Sequence, residues 1–207
     1  MAPKQTRIQN KARTREALAT AAVRLFRERG YAGTTVEDIA EAAGSSPSTF
    51  FRYFGTKEDV LFLNIREIMD DFRAFVSVPI PGLKRWDQIK TGMHVSVRRV
   101  AEPDPEIKHV SLVSWLSEPA ISARYSQFSR EMEEIIATAL AQERGTSPDL
   151  DLEAQLTARS ATAVYMSTFH LHVHSGRDLS ELLARAFELL ESGIPARQSR
   201  PPGPADS

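Results

Sequence analysis

The chain has 207 residues, with 26 Lys+Arg against 27 Asp+Glu, no cysteine and a hydrophobic fraction of 42%. That length makes one or two domains with a buried core, and the missing cysteines exclude disulfide scaffolds, thiolate zinc sites and cysteine nucleophiles. No apolar run approaches the roughly 18–20 residues of a membrane span, and the start MAPKQTRIQNKARTR lacks a signal peptide's apolar stretch, so a cytoplasmic chain with no membrane partner is expected. The net charge of −1 argues against a nucleic-acid partner only if it is spread evenly, and it is not. Up to Gly30, Lys4, Arg7, Lys11, Arg13, Arg15, Arg24, Arg27 and Arg29 face only Glu16 and Glu28, a local charge of +6 that leaves −7 for the rest. A basic head on an acidic body suggests an end that faces nucleic acid.

In chain order, residues 1–12 are expected as a basic flexible arm. Its Lys4, Arg7 and Lys11 either add phosphate or minor-groove contacts or stay solvated. Leu18, Ala21, Ala22, Leu25 and Phe26 repeat at helical spacing, and Gly30 closes that helix. Residues 34–54, TTVEDIAEAAGSSPSTFFRYF, carry two short helices. Thr35 caps the first, with Asp38 three places on in a capping-box pattern, and Gly44 ends it. Ser46 caps the second, with Pro47 at its first position, where the missing N–H costs nothing. Two short helices around a tight glycine-containing turn make a helix-turn-helix, whose second helix can enter a major groove.

On that second helix, Phe50 and Phe54 should face the core, leaving Ser48, Thr49, Arg52 and Tyr53 for a partner. Small polar side chains let the backbone approach base edges, and Arg52 can reach a guanine or a phosphate. Thr56, Lys57 and Glu58 start the next helix, where Lys57 and free N–H groups can hold an anion. Alternatively, the capped pair is merely packing.

Prolines at 79, 81, 103, 105, 119 and 148 divide the remainder, because proline inside a helix costs about 3 kcal/mol. Val60 to Phe75 reads as one long helix ending near Pro79. Further helices are expected over about 83–101, 104–117, 119–143, 149–175 and 178–192, and 194–207 as a disordered tail. The fold class is therefore all-α: a three-helix helix-turn-helix domain over 13–60, then a helical-bundle domain over 61–193.

Residues 13–62 resemble the DNA-binding domain of the TetR family of bacterial transcriptional regulators. The likeness lies in LFRERGYAGTTVEDIAEAAG, then STFFRYF, then TKEDV, in order and at the family's spacing. The resemblance implies a homodimeric repressor on a near-palindromic double-stranded DNA operator, released when a small effector binds the C-terminal domain. It implies that Thr35 bonds a phosphate, that Ser46, Ser48, Thr49 and Arg52 lie at bases or nearby phosphates, and that Tyr53 and Lys57 hold the backbone. Phe51 departs from the pattern, since most relatives have tyrosine there; it can offer only an apolar contact, and whether Tyr53 takes over the phosphate stays open. Residues 101–193, closing in DLSELLARAFELL, are similar to the C-terminal domain of regulators related to the mycofactocin regulator, which implies an acyl-coenzyme-A-like or other lipophilic effector.

In the body, Ala158 and Ala161 on one helix and Leu179, Leu182, Leu183, Ala186 and Leu190 on the last form faces suited either to a dimer interface or to the chain's own core. His109, Trp115, Tyr165, Met166, Phe169 and His170 are candidate pocket walls, each also explicable as ordinary core. His170 and His174 share a face, but no third ligand can be placed, so no metal and no cofactor is expected. No nucleophile–base set, glycine-rich phosphate loop or acidic cluster appears, so an enzyme with a DNA-binding appendage is disfavoured and no catalytic residue is assigned. A ligand-independent activating or architectural DNA binder shares every feature of the head.

Overall fold

The computed structural model describes residues 3–62, 65–101, 110, 114 and 117–193. Among these residues the chain is helical throughout, without a strand. The helices are α1 Pro3–Arg29, α2 Val36–Ala42, α3 Pro47–Tyr53, α4 Ile65–Ser77, α5 Arg85–Ala101, α6 Pro119–Arg144, α7 Leu152–Ser175 and α8 Leu179–Ser192. Glu58–Phe62 and Pro148–Leu150 form 3₁₀ turns.

Two boundaries differ from the sequence reading. Helix α1 begins at Pro3, so residues 3–12 continue the helix of the head instead of forming a separate coil. Val60 and Leu61 lie in a 3₁₀ turn, not in the long helix, because the carboxylate of Asp59 binds the N–H groups of Gly55 and Thr56 and tightens the chain there. The helix expected over 104–117 falls outside the described residues except at Val110, Ser114 and Ser117, and the tail over 194–207 falls outside them altogether.

The chain builds two apolar cores. In the head, Leu18, Ala22, Leu25 and Phe26 of α1 meet Ile39 of α2, Phe50 and Phe54 at α3, and Val60 and Leu61 of the turn. Ile121, from the first turn of α6, completes that core. In the body, Met69, Phe72 and Val76 of α4 and Ile89, Met93 and Val97 of α5 pack with Ile136 and Leu140 of α6, Tyr165 and Phe169 of α7, and Leu183 and Phe187 of α8. Each such side chain contributes about 1.5–3 kcal/mol by leaving water. Helix α6 therefore belongs to both cores, so the head is fixed on the body by packing.

The α4–α5 hairpin shows how close that packing is. A Cβ on Gly92 would come within 2.9 Å of the Phe72 ring. Buried Arg85 and Gln88 cap the end of α4: Arg85 donates to the carbonyl of Val76, and Gln88 to those of Phe75 and Val78. Those carbonyls would otherwise be orphans at a helix C-terminus.

Candidate nucleic-acid interface

The recognition surface is built by local bonds. Thr35 accepts the N–H of Asp38 at 3.1 Å, and Asp38 accepts the N–H of Thr35 at 2.8 Å, so both halves of the capping box are present. The Thr35 hydroxyl proton goes to Asp38 at 2.6 Å, which commits that side chain's donor to the box. The hydrogen bonds from the Thr35 hydroxyl and backbone hold the Asp38 carboxyl below the usual aspartate range, with Arg29 assisting. A negative first turn suits the positive end of α2. Gly33 allows the approach to this cap, since a Cβ there would lie 2.5 Å from the Arg29 carbonyl oxygen.

Helix α3 is seven residues long, too short to persist alone. Ser46 caps it, accepting the Thr49 N–H at 3.2 Å and donating to the Thr49 hydroxyl at 3.0 Å. Phe50 is fully buried and contacts Phe54 at 5.2 Å between ring centroids, which anchors the inner face. The outer face then presents Ser46, Ser48, Phe51 and Arg52 as exposed side chains, with Thr49 and Tyr53 half-buried beside them. Phe51 is 55% exposed, an unusual position for a phenylalanine, and its edge meets Phe50. The Arg52 guanidinium lies 5.2 Å over the Tyr53 ring, a cation–π contact that restrains it.

The turn after α3 is where the structure departs most from the expected anion site. Lys57 points inward, donating to the carbonyls of Tyr31 and Thr34 at 2.8 Å each while sitting 3.9 Å from the Tyr31 ring centroid. The N–H groups of Gly55 and Thr56 are taken by Asp59 at 3.0 Å. Instead of an open anion site, the turn forms an interlock. Tyr31 donates to Glu58, and Arg124 of α6 pairs with Asp59. Burial pushes the Glu58 carboxyl up, but hydrogen bonds from Tyr31, its own backbone and Thr56, together with Lys57, outweigh it and hold the group below the ordinary glutamate range. Burial and the same carboxylate raise the Tyr31 phenol. Phe62 stacks against Tyr125 and Phe128 of α6 at 5.1 and 5.4 Å. Sequence reasoning missed Tyr31, Glu58, Asp59 and Arg124; the Thr56–Asp59 spacing is a local capping signal, whereas Arg124 lies 65 residues away and gives none.

In the body, Tyr165 and Phe169 lie together in the interior, 5.0 Å apart, with Met166 half-buried beside the core. Burial, with Tyr125 nearby, raises the Tyr165 phenol. His170 is exposed: five residues after Tyr165, it falls on the other side of α7, stacked on His174 at 4.4 Å. His109 and Trp115 lie outside the described residues. Among the described residues no group of three or more metal-capable side chains occurs, and no helix is long and apolar enough to cross a membrane. Ala158, Ala161, Leu179, Leu182 and Leu183 are buried within the single chain, and Ala186 and Leu190 half-buried. The open apolar positions on α7 are instead Leu152, Leu156 and Leu171.

Comparison with known proteins agrees with this geometry. Residues 18–62 match the family described as bacterial regulatory proteins, tetR family, and residues 84–195 match the MftR C-terminal domain. The chain is 31% identical to the HTH-type transcriptional regulator TcmR of Streptomyces glaucescens, over 85% of this chain and 80% of that one. Among solved structures it resembles Thermus thermophilus FadR, a repressor in complex with lauroyl-CoA, at 26% identity, TM-score 0.55, covering 91% of this chain and 99% of that one. The fold is also that of SmeT in its triclosan complex, at TM-score 0.64 and 19% identity over 86% of this chain and 90% of that one. The chain belongs to the TetR family of bacterial transcriptional regulators, and is a DNA-binding regulator rather than an enzyme.

Proposed function

We propose that this regulator is a cytoplasmic homodimeric repressor, that paired α3 helices hold it on a near-palindromic operator, and that a lipophilic effector releases it. The observation that carries the reading is the outer face of α3, where Ser48, Thr49 and Arg52 are displayed on a helix anchored by fully buried Phe50. Arg52 suits a guanine edge or phosphate, Ser48 and Thr49 suit base edges, and Tyr53 suits the backbone. Thr35 and Lys57 act as positioning residues, because their donors are committed within the protein.

Leu152, Leu156 and Leu171 are large apolar side chains left exposed on α7, which a second copy would cover, and this supports the dimer. The T. thermophilus repressor with lauroyl-CoA supports an acyl-coenzyme-A-like effector. Tyr165, Met166 and Phe169 are the residues we assign to the pocket wall. The fixed contacts of the start of α6 with the 55–62 turn provide the path from that domain to the head.

The reading is tested by selecting binding sequences from a random duplex pool with the purified protein. The expected result is an inverted repeat bound by two protomers and released by added lauroyl-CoA. Recovery of a single unrepeated site would overturn the dimeric reading. Binding indifferent to lauroyl-CoA and to related acyl thioesters would overturn the effector class.

A further inference from the structure

We propose that the groove between the first turns of α1 and the end of α3 is a second DNA site, binding a backbone phosphate that flanks the base-reading surface. The proposal rests on the DNA-binding reading above and extends its footprint. Asn10, Lys11, Thr14, Arg52 and Tyr53 line this groove, which has a volume of about 560 Å³. None of the five is acidic, and Lys11 and Arg52 are both exposed. Neither cation forms an ion pair with another described residue.

The donors are specific. The Thr14 hydroxyl gives its hydrogen to the Asn10 carbonyl at 2.9 Å and so offers only acceptor capacity. The Asn10 amide, the Lys11 ammonium, the Arg52 guanidinium and the Tyr53 phenol remain as donors. Tyr53 is held against the head core, and its ring restrains Arg52. Lys11, with the Asn10 amide and the Tyr53 phenol beside it and no carboxylate in the lining, suits a phosphodiester, while Arg52 on the rim adds positive charge and stays available to a base edge; phosphate contacts set position without reading sequence.

The secondary structure of α1 decides between the two contacts open to a basic N-terminus. A flexible arm can thread the minor groove, which is about 6 Å wide, but a helix about 10–12 Å across cannot. Residues 3–11 are helical, so the groove and the turns before it meet the outer sugar–phosphate backbone. The 3.6-residue period puts positions 4, 7 and 11 on one side of that helix, and position 4 stands about 10 Å beyond position 11. All three positions are basic.

The test measures affinity for the selected operator against salt concentration, for the wild type, Lys11→Gln and the triple variant Lys4→Gln/Arg7→Gln/Lys11→Gln. Each phosphate contact adds about 0.9 to the slope of log affinity on log salt. Lys11→Gln is therefore expected to lower the slope by about 1 per protomer, with the selected base sequence unchanged and the triple variant lower still. In a second measurement, uncharged methylphosphonates are placed singly along the operator flanks. Wild type should lose affinity at one flanking position per half-site, and Lys11→Gln should lose markedly less there, since one of the donors to that phosphate is already gone.

An unchanged salt slope for Lys11→Gln, or a relaxed base preference, would overturn the proposal while leaving the helix-turn-helix reading intact. A wild type that selects no sequence at all would overturn that reading, and the proposal with it. Lys11 is exposed, so its substitution should leave the melting temperature unchanged.

Discussion

The head and body of this chain are both helical, yet different forces hold them. Helices α2 and α3 have seven residues each, and their ends are fixed by side-chain caps at Thr35 and Ser46. Helices α6 and α7 have 26 and 24 residues and are held mainly by apolar packing along their length. A surface that must match DNA gains from the first arrangement, since capped polar bonds and one buried anchor leave little freedom. The body is packed as closely but leaves one polar group unsatisfied. The Thr162 hydroxyl is buried there with no hydrogen-bond partner among the described residues, although helical threonines commonly donate four residues back.

The sharpest way to break this contrast is to remove the anchor. Phe50→Ala should cost about 3–5 kcal/mol, the range for a fully buried phenylalanine. Operator binding should vanish while most helical signal, carried by the body, persists to a separate, higher melting transition. A single transition by circular dichroism would show that the head has no independent core. Arg52→Ala comes next, weakening operator binding by about 1–3 kcal/mol and relaxing preference at one position per half-site. Because Arg52 is exposed, the melting temperature should stay put. Unchanged affinity and preference in a binding titration would remove Arg52 from the interface.

Two further substitutions compare polar bonds in the two regions. Tyr31→Phe deletes the hydrogen bond to Glu58 and should cost about 1.5 kcal/mol near neutral pH, as expected for a bond to a charged acceptor. Its sign with pH follows from the depressed Glu58 carboxyl. A group whose folded value is lowered stabilises the protein above its unfolded value, about 4.3, and that stability is lost as pH falls through the folded value. The gap in melting temperature between wild type and Tyr31→Phe should therefore be full at pH 6 and close towards pH 3. A gap that stays constant would mean that Glu58 is not the acceptor that matters. Thr162→Val should act in the opposite direction, raising stability by about 1 kcal/mol because it removes an unpaired buried hydroxyl. A lower melting temperature would show that the hydroxyl is bonded in solution.

The same contrast explains what could be read from the sequence. The caps at Thr35 and Ser46 join residues three apart, and the Phe50–Phe54 anchor joins residues four apart, so residue type and spacing reveal both. A lysine at a helix start suits an anion equally well as a bridge to distant carbonyls, and Lys57 makes the bridge, to Tyr31 and Thr34 some 25 residues earlier. Val60 and Leu61 keep apolar spacing across a 3₁₀ turn, and periodicity alone cannot distinguish that turn from the following helix. In the body, Ala158 and Ala161 do mark a close helix approach. Both are buried in the core that α7 shares with α6 and α8 of the same chain, and small residues carry no label for whose helix they admit. Tyr165 and His170 are both candidate pocket walls by residue type, and a 3.6-residue period sets them on different sides of α7.

A small expected change in stability carries the most information on how the two regions communicate. Arg124 and Asp59 are partly exposed, at 34% and 20% of their side chains, so their ion pair should contribute under about 1 kcal/mol to folding. The pair nonetheless sits at a junction: one Asp59 oxygen faces Arg124 of α6, and the other holds the N–H groups of Gly55 and Thr56, directly after α3. A movement of α6 would thus reach the recognition helix through one carboxylate, alongside the Phe62 contacts with Tyr125 and Phe128. If lauroyl-CoA releases the protein as proposed, Arg124→Ala should leave folding and operator sequence nearly unchanged while reducing that loss of affinity several-fold, since coupling free energies are typically only 1–3 kcal/mol. The exchanged pair Arg124→Asp with Asp59→Arg should not restore the response, because the arginine cannot accept the Gly55 and Thr56 N–H bonds. Restoration by that exchange would show that attraction between charges is sufficient for transmission and that the backbone bonds to Asp59 are incidental. Full retention of release by Arg124→Ala would place the transmission in the apolar contacts of α6, those of Ile121 with the head core and of Tyr125 and Phe128 with Phe62.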